Sequence, residues 1–153
     1  MVTLVEIAGK LYIEEADVYI NTPYYQQLET IKQKNAAKKY SSGYVDAVGQ
    51  GNMIAEETQR TVNARIKPLV WTSTNKPQIY ERLKQTVANG ELYCHQDILD
   101  KVVNDMAQVK RVISDTGKII YDAKRTSETR HSDISSALAL ALEAMHEMPK
   151  NAT

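Results

Sequence analysis

The sequence predicts an α/β protein: a mixed sheet flanked by helices. Three observations carry that reading. Two β-branched and aromatic segments meet across a glycine near the N-terminus; short apolar runs then alternate with helix-periodic segments; an Ala/Leu-rich stretch closes the chain. Strands first, then a β-α alternation, then one closing helix indicate an α/β sheet that starts with antiparallel strands. At 153 residues the chain is expected to form one domain, 1–153, with a real core.

Residues 2–8 and 11–20 are rich in Val, Ile, Leu and Tyr and flank Gly9-Lys10, a link suited to a tight hairpin. Thr22-Pro23 reads as a helix start with proline at the first helical position, and the helix runs over 24–39 with Tyr25, Leu28 and Ile31 or Lys32 at helical spacing. Ser41-Ser42-Gly43 breaks it. A strand over 44–48 ends in Gly49-Gln50-Gly51, a helix follows over 52–63, and residues 66–71 form another short strand. Thr72 to Asn75 precede Lys76-Pro77, so a helix starts here and runs to Ala88, ended by Asn89-Gly90. Leu92-Tyr93-Cys94 is a strand stub, and 96–109 a helix carrying Ile98, Leu99, Val102, Val103 and Met106. Residues 110–114 and 118–121 make a hairpin across Asp115-Thr116-Gly117. The last helix begins near Asp133, ends before Pro149 and must be largely buried.

Nineteen basic and nineteen acidic residues cancel, so the chain has no global electrostatic claim on nucleic acid; a DNA-acting reading relies on local basic clusters or on another domain. The single cysteine, Cys94, forms no internal disulfide, so a reducing compartment is the default. No apolar run approaches the roughly 18 residues that span a membrane, and Lys10, Glu14 and Glu15 interrupt the N-terminal apolar stretch where a signal peptide would lie. Cys94-His95 lacks a second pair at zinc-ligand spacing. A Gly-Lys-Ser/Thr phosphate loop is absent, which excludes an ATPase of that class from this chain.

Two acids draw attention. Asp46 closes a strand before a glycine-rich turn, the place where open α/β sheets hold their ligands; the bland reading is that its side chain caps the turn, and the sequence alone favours that. Asp133 opens the last helix, where the positive helix end keeps a carboxylate ionised and ready for a cation. Its bland reading, again the favoured one, is an N-cap accepting the Ser135 or Ser136 amide. His131 either orients a water or phosphate or is a surface loop histidine. Lys124, Arg125 and Arg130 are candidate DNA contacts near Asp133. Lys32, Lys34, Lys38 and Lys39 are candidates too, but read better as a solvated helix face. Gly49-x-Gly51 is a weak dinucleotide signal, because Ile54 occupies the place of the third glycine.

Three ordered segments resemble the nuclease domain of phage terminase large subunits, particularly the Mu-like prophage group. They are Asn21-Thr22-Pro23-Tyr24-Tyr25-Gln26-Gln27; Val45-Asp46-Ala47-Val48-Gly49-Gln50-Gly51 with Ala55-Glu56-Glu57; and His131-Ser132-Asp133 followed by Ala137-Leu138-Ala139-Leu140-Ala141. Trp71-Thr72-Ser73-Thr74-Asn75-Lys76 looks like that family's strand, short loop and lysine. The similarity spans nearly the whole chain in order.

The resemblance implies an RNase H-like fold with an N-terminal β-hairpin and cleavage of double-stranded DNA during packaging. The implied chemistry is a two-metal mechanism using Mg²⁺ or Mn²⁺. By position, Asp46 and Asp133 match metal-binding catalytic acids, His131 a histidine often beside the second, and Lys76 the lysine, a candidate DNA contact. Other terminase or portal components are implied partners, and the bacterial host cytoplasm the implied location. One departure is large: the family's first strand, with its first catalytic aspartate, precedes the hairpin that begins here at Met1, and Glu6, Glu14, Glu15 and Asp17 do not match it. The motor ATPase domain is absent as well. The expectation is therefore an N-terminally truncated nuclease domain lacking its first central strand, weak or inactive by itself, with an exposed sheet edge that promotes self-association. The alternatives are a non-catalytic remnant or interaction module of the same fold, and a small nucleotide-binding α/β domain using Gly49-Gln50-Gly51.

Overall fold

The computed structural model describes residues 1–123 and 132–148. In chain order the elements are β1 (Val2–Ile7), β2 (Lys10–Ala16), α1 (Tyr24–Lys38), β3 (Gly43–Asp46), α2 (Gly51–Thr61), β4 (Ile66–Leu69), α3 (Asn75–Ala88), β5 (Leu92–Cys94), α4 (Gln96–Met106), β6 (Val109–Ile113), β7 (Ile119–Ala123) and α5 (Asp133–His146). Types and order follow the sequence expectation; several boundaries move. The chain divides into two compact units, Met1–Val18 with Thr72–Ala139 and Tyr19–Trp71 with Leu140–Thr153. The division falls inside α5.

In the first unit, β1 and β2 pair antiparallel from Val2↔Ala16 to Ile7↔Lys10. The turn is Ala8-Gly9 rather than Gly9-Lys10, with φ of 52° and 76°. Two successive positive φ values match the right-handed twist of the strands, and glycine adopts one of them without a Cβ penalty. β2 also pairs in parallel with β5, Leu11↔Leu92 to Ile13↔Cys94, so this three-stranded sheet is mixed, in the order β1-β2-β5. Strand β2 stops at Ala16, where Asp17 N–H closes onto Met1 O at 2.8 Å. The apolar run beyond it, Val18, Tyr19 and Ile20, is exposed and not strand.

Helix α3 buries Ile79, Tyr80, Leu83 and Thr86, a one-sided stripe at i, i+1, i+4 and i+7. The Thr86 hydroxyl donates to Arg82 O at 2.9 Å, which satisfies it inside the helix. Before α3, Thr72 and Asn75 bond reciprocally: Asn75 N–H donates to Thr72 Oγ1 and Thr72 N–H to Asn75 Oδ1. That is the capping-box logic with Asn in the acid's place. Helix α4 ends at Met106, and Val109, expected at the helix end, begins β6 instead. β6 and β7 form an antiparallel hairpin from Val109↔Ala123 to Ile113↔Ile119. Its core-facing anchor is Tyr121, buried and stacked on Tyr80 with ring centroids 5.3 Å apart.

In the second unit, β3 and β4 run parallel, Gly43↔Ile66 to Asp46↔Leu69. Helix α1 buries Leu28 but leaves Tyr25 exposed, and Pro23 stands one position before the helix, its carbonyl accepting the Gln26 and Gln27 amides. Asn63 Nδ2 donates to Asn35 Oδ1 and Tyr40 O, tying the end of α2 to the end of α1. Ser42 Oγ, just before β3, donates to Ala144 O in α5, and the Tyr44 phenol of β3 donates to Glu147, just after α5.

Helix α5 is buried nearly all round: Ile134, Ser135, Leu138, Ala139, Leu140, Leu142 and Ala144 are all inside. A helix apolar on every face belongs in a core, as its Ala/Leu composition predicts. Among the described residues, no helix is long and apolar enough to cross a membrane.

Candidate functional site

Asp46 is the last residue of β3 and belongs to the second unit. Its carbonyl side is held by the sheet, since Ala47 N–H bonds Leu69 O at 2.8 Å. Its carboxylate is exposed, and Oδ1 accepts the Val48 amide at 3.0 Å. The turn-capping reading is thus correct for one oxygen. Oδ2 accepts no hydrogen bond among the described residues.

The glycines that follow have backbone reasons to be there. Gly49 sits at φ +60°, the left-handed region. Gly51 opens α2 directly against the strand end: a Cβ there would lie 2.1 Å from Asp46 O. Half-buried Ile54 holds the position a third fingerprint glycine would need. The geometry of this turn is therefore set by a close approach of helix and strand.

Asp133 is the first residue of α5, in the first unit, and is exposed. Its bland reading as the helix cap meets a specific obstacle. The Ser135 amide donates to Asp105 Oδ1 at 2.7 Å, and the Ser136 amide to Ser132 O at 2.9 Å. Asp105 Oδ2 also accepts the Ile134 amide at 3.2 Å, and Asp105 Oδ1 the Ser135 hydroxyl at 2.5 Å. The cap of α5 comes from the end of α4, about thirty residues earlier.

Sequence reasoning missed Asp105. A weak signal existed: an acid in the last turn of a helix opposes the macrodipole, so it calls for a compensating donor elsewhere. The amides at the head of α5 are that donor.

Lys76 lies in the first turn of α3, its ammonium 5.9 Å from the Tyr80 ring centroid, at the outer edge of cation–π range. The Tyr80 hydroxyl shares a 2.8 Å hydrogen bond with Ser136 Oγ. Lys76, Tyr80 and the opening turn of α5 therefore form one connected group within the first unit. His131, Lys124, Arg125 and Arg130 lie outside the described residues. Lys32 and Lys39 are exposed and Lys34 and Lys38 half-buried.

Tyr121 donates to Glu81, and the phenol is pushed up to about 12 by burial and then by that carboxylate. Tyr44 is likewise pushed up to about 12 by burial and by Glu147. Both start from an ordinary value of 10.0. Between about pH 10 and 12 the unfolded chain therefore binds fewer protons than the folded one, and stability falls as pH rises. Urea unfolding across that window is expected to show the fall, reduced in part by Tyr121→Phe and further by adding Tyr44→Phe. An equally steep fall in the double variant would assign it to other groups.

The donor chemistry at both acids is hard oxygen, which suits Mg²⁺ or Mn²⁺ and argues against zinc. Mg²⁺ commonly uses one or two carboxylates and completes its shell with water. Among the described residues, however, no three His, Cys, Asp or Glu side chains group as a metal cluster would require.

The mixed α/β fold, with its hairpin entry and buried closing helix, matches the RNase H-like fold of solved phage large terminase nucleases. Three solved structures place it there. The large terminase nuclease of thermophilic phage G20c with bound magnesium matches with a TM-score of 0.60 at 23% identity, covering 80% of this chain and 62% of that one. The same nuclease with bound cobalt matches at 0.62 and 18% identity, covering 93% and 79%. The Thermus phage P74-26 large terminase nuclease domain matches at 0.62 and 18%, covering 80% and 60%. This chain thus spans about three fifths of the first and third of these. No protein-family model matches the sequence, and no curated protein does.

Proposed function

We propose that this chain is a metal-dependent endonuclease domain of the phage or prophage DNA-packaging terminase kind, acting on double-stranded DNA. The reading assigns Asp46 and Asp133 as ligands of Mg²⁺ or Mn²⁺. The observation that supports it most is Asp46 at the end of β3, an exposed carboxylate of which Oδ1 accepts the Val48 amide and Oδ2 accepts no hydrogen bond among the described residues. The likeness of fold to nucleases solved with magnesium and cobalt supports it independently.

Within this reading Asp46 offers Oδ2 while Oδ1 keeps the turn closed. Asp133 offers its carboxylate from a helix start fixed by its neighbours. Lys76 brings positive charge for a phosphate on the α3 side of the first unit; His131, Lys124, Arg125 and Arg130, outside the described residues, are further candidate contacts. A bound dication would acidify an attacking water and neutralise charge on the leaving oxygen. Two-ion catalysis needs carboxylates beyond Asp46 and Asp133. Weak or no cleavage by this chain alone is the expected result.

Mn²⁺ at about a hundredfold over its Kd adds about 2.7 kcal/mol to stability, which raises Tm by about 5–10 °C for a chain of this size. Asp133→Asn and Asp46→Asn are each expected to abolish that rise. Robust Mn²⁺-dependent plasmid cutting that survives both substitutions would refute the assigned site. A second reading, a non-catalytic remnant of the same fold, draws on the absence of a three-ligand group among the described residues. It expects no metal-induced rise in the unsubstituted chain.

A further inference from the structure

We propose that Asp105 is a positioning residue: its carboxylate clamps the first turn of α5 and thereby fixes where Asp133 presents its own carboxylate. The inference rests on the reading of Asp133 as a metal ligand. Its structural half stands on geometry alone. A helix start leaves its first amides without intrahelical partners, and a side chain beside the helix usually supplies the acceptor. Here the two oxygens of one distant carboxylate divide that task, Oδ2 taking Ile134 N–H at 3.2 Å and Oδ1 taking Ser135 N–H at 2.7 Å. The Ser135 hydroxyl, on a side chain buried to 1% exposure, adds a third bond to Oδ1 at 2.5 Å.

A bidentate grip by an ionised acceptor is stronger than neutral capping and also fixes direction. The clamped amides belong to the two residues immediately after Asp133, so the backbone that carries Asp133 is held from its C-terminal side. Tyr80, through its hydroxyl on Ser136 Oγ, holds the next residue of the same turn. α4 and α3 thus both grip the opening turn of α5. The clamp has a second consequence: the Ile134 and Ser135 amides are committed to Asp105, so a substrate phosphate bound near this helix must be met by cationic side chains such as Lys76.

Asp105→Asn keeps the shape of the side chain but sets an amide NH₂ against one of the two backbone N–H groups. Measured by hydrogen exchange on the full chain, protection at Ile134 and Ser135 is expected to fall about 10–100-fold, the loss of a hydrogen bond to a charged group. Mn²⁺ affinity, read by titration, is expected to fall about tenfold, the usual consequence of removing a residue that orients a ligand. Ser135→Ala keeps the carboxylate and removes only the hydroxyl bond. It is expected to give smaller shifts of the same sign, and to add nothing to Asp105→Asn in the double variant. Should Asp105→Asn unfold the chain, Ser135→Ala carries the test, a loosened Ile134 and weaker Mn²⁺ binding supporting the clamp. Unchanged exchange at Ile134 and Ser135 would overturn the clamp, and loosened amides with unchanged Mn²⁺ affinity would overturn the positioning role. If the unsubstituted chain binds no Mn²⁺ while Asp105→Asn still loosens the amides, the proposed function fails and Asp105 remains the anchor of α5.

Discussion

Leu138→Ala is expected to lower the free energy of unfolding by about 2–5 kcal/mol, the largest effect of any single truncation considered for this chain. Leu138 is 0% exposed, in the middle of a helix buried nearly all round. Removing three side-chain carbons there forfeits the transfer energy of the lost atoms. It also leaves a cavity that neighbours on several sides cannot collapse into together. Against the 5–15 kcal/mol that domains generally possess, such a loss consumes much of the margin. Urea denaturation should show a lower midpoint with an unchanged slope. Ile113→Ala, at a residue 63% exposed on the β6–β7 hairpin, is the control and should stay within about 0.5 kcal/mol. A cost below about 1 kcal/mol for Leu138→Ala would mean that α5 does not serve as the core helix.

The legibility of that helix in the sequence has a simple cause. Ala137 to Leu142 alternate small and large apolar residues without a polar face, and only a buried helix tolerates that composition. The hairpins and helix stops were equally readable because Gly9, Gly90 and Gly117 mark positive-φ positions. Apolar composition misled where burial was absent. Val18, Tyr19 and Ile20 look like strand yet lie exposed beyond the last pairing of β2.

The site was half legible for the same reason of range. Asp46 could be placed from its own turn, and its bond to Val48 is local, two residues away. The cap of α5 could not, because the acceptor comes from another helix. Local rules offered Asp133 as the cap, since it is the nearest acid. Tertiary structure instead supplied Asp105 as the acceptor for the Ile134 and Ser135 amides.

Gly51→Ala is expected to be the second most damaging substitution, costing about 1–3 kcal/mol although alanine is the better helix former. Helix propensity alone would favour alanine by about 1 kcal/mol. The opposing term is steric: the new Cβ would sit 2.1 Å from Asp46 O and 3.2 Å from Asp46 C, and both are backbone atoms that no rotamer change can move. Either α2 must retreat or the end of β3 must shift, and overpacking of this kind typically costs about 1–3 kcal/mol, occasionally more. Because the clash is with the residue that carries the candidate ligand, loss of stability and loss of Asp46 geometry should appear together. The Val48 amide bonded to Asp46 Oδ1 is the local reporter, and its exchange should quicken in the variant. Gly49→Ala separates the two causes available to a glycine. It meets nothing within 4 Å but must hold φ near +60°, so its cost is conformational, about 1–2 kcal/mol, without displacement of Asp46. A Gly51→Ala chain more stable than the original would show that helix and strand do not approach as described, and the rigid seat of Asp46 would be lost with that contact.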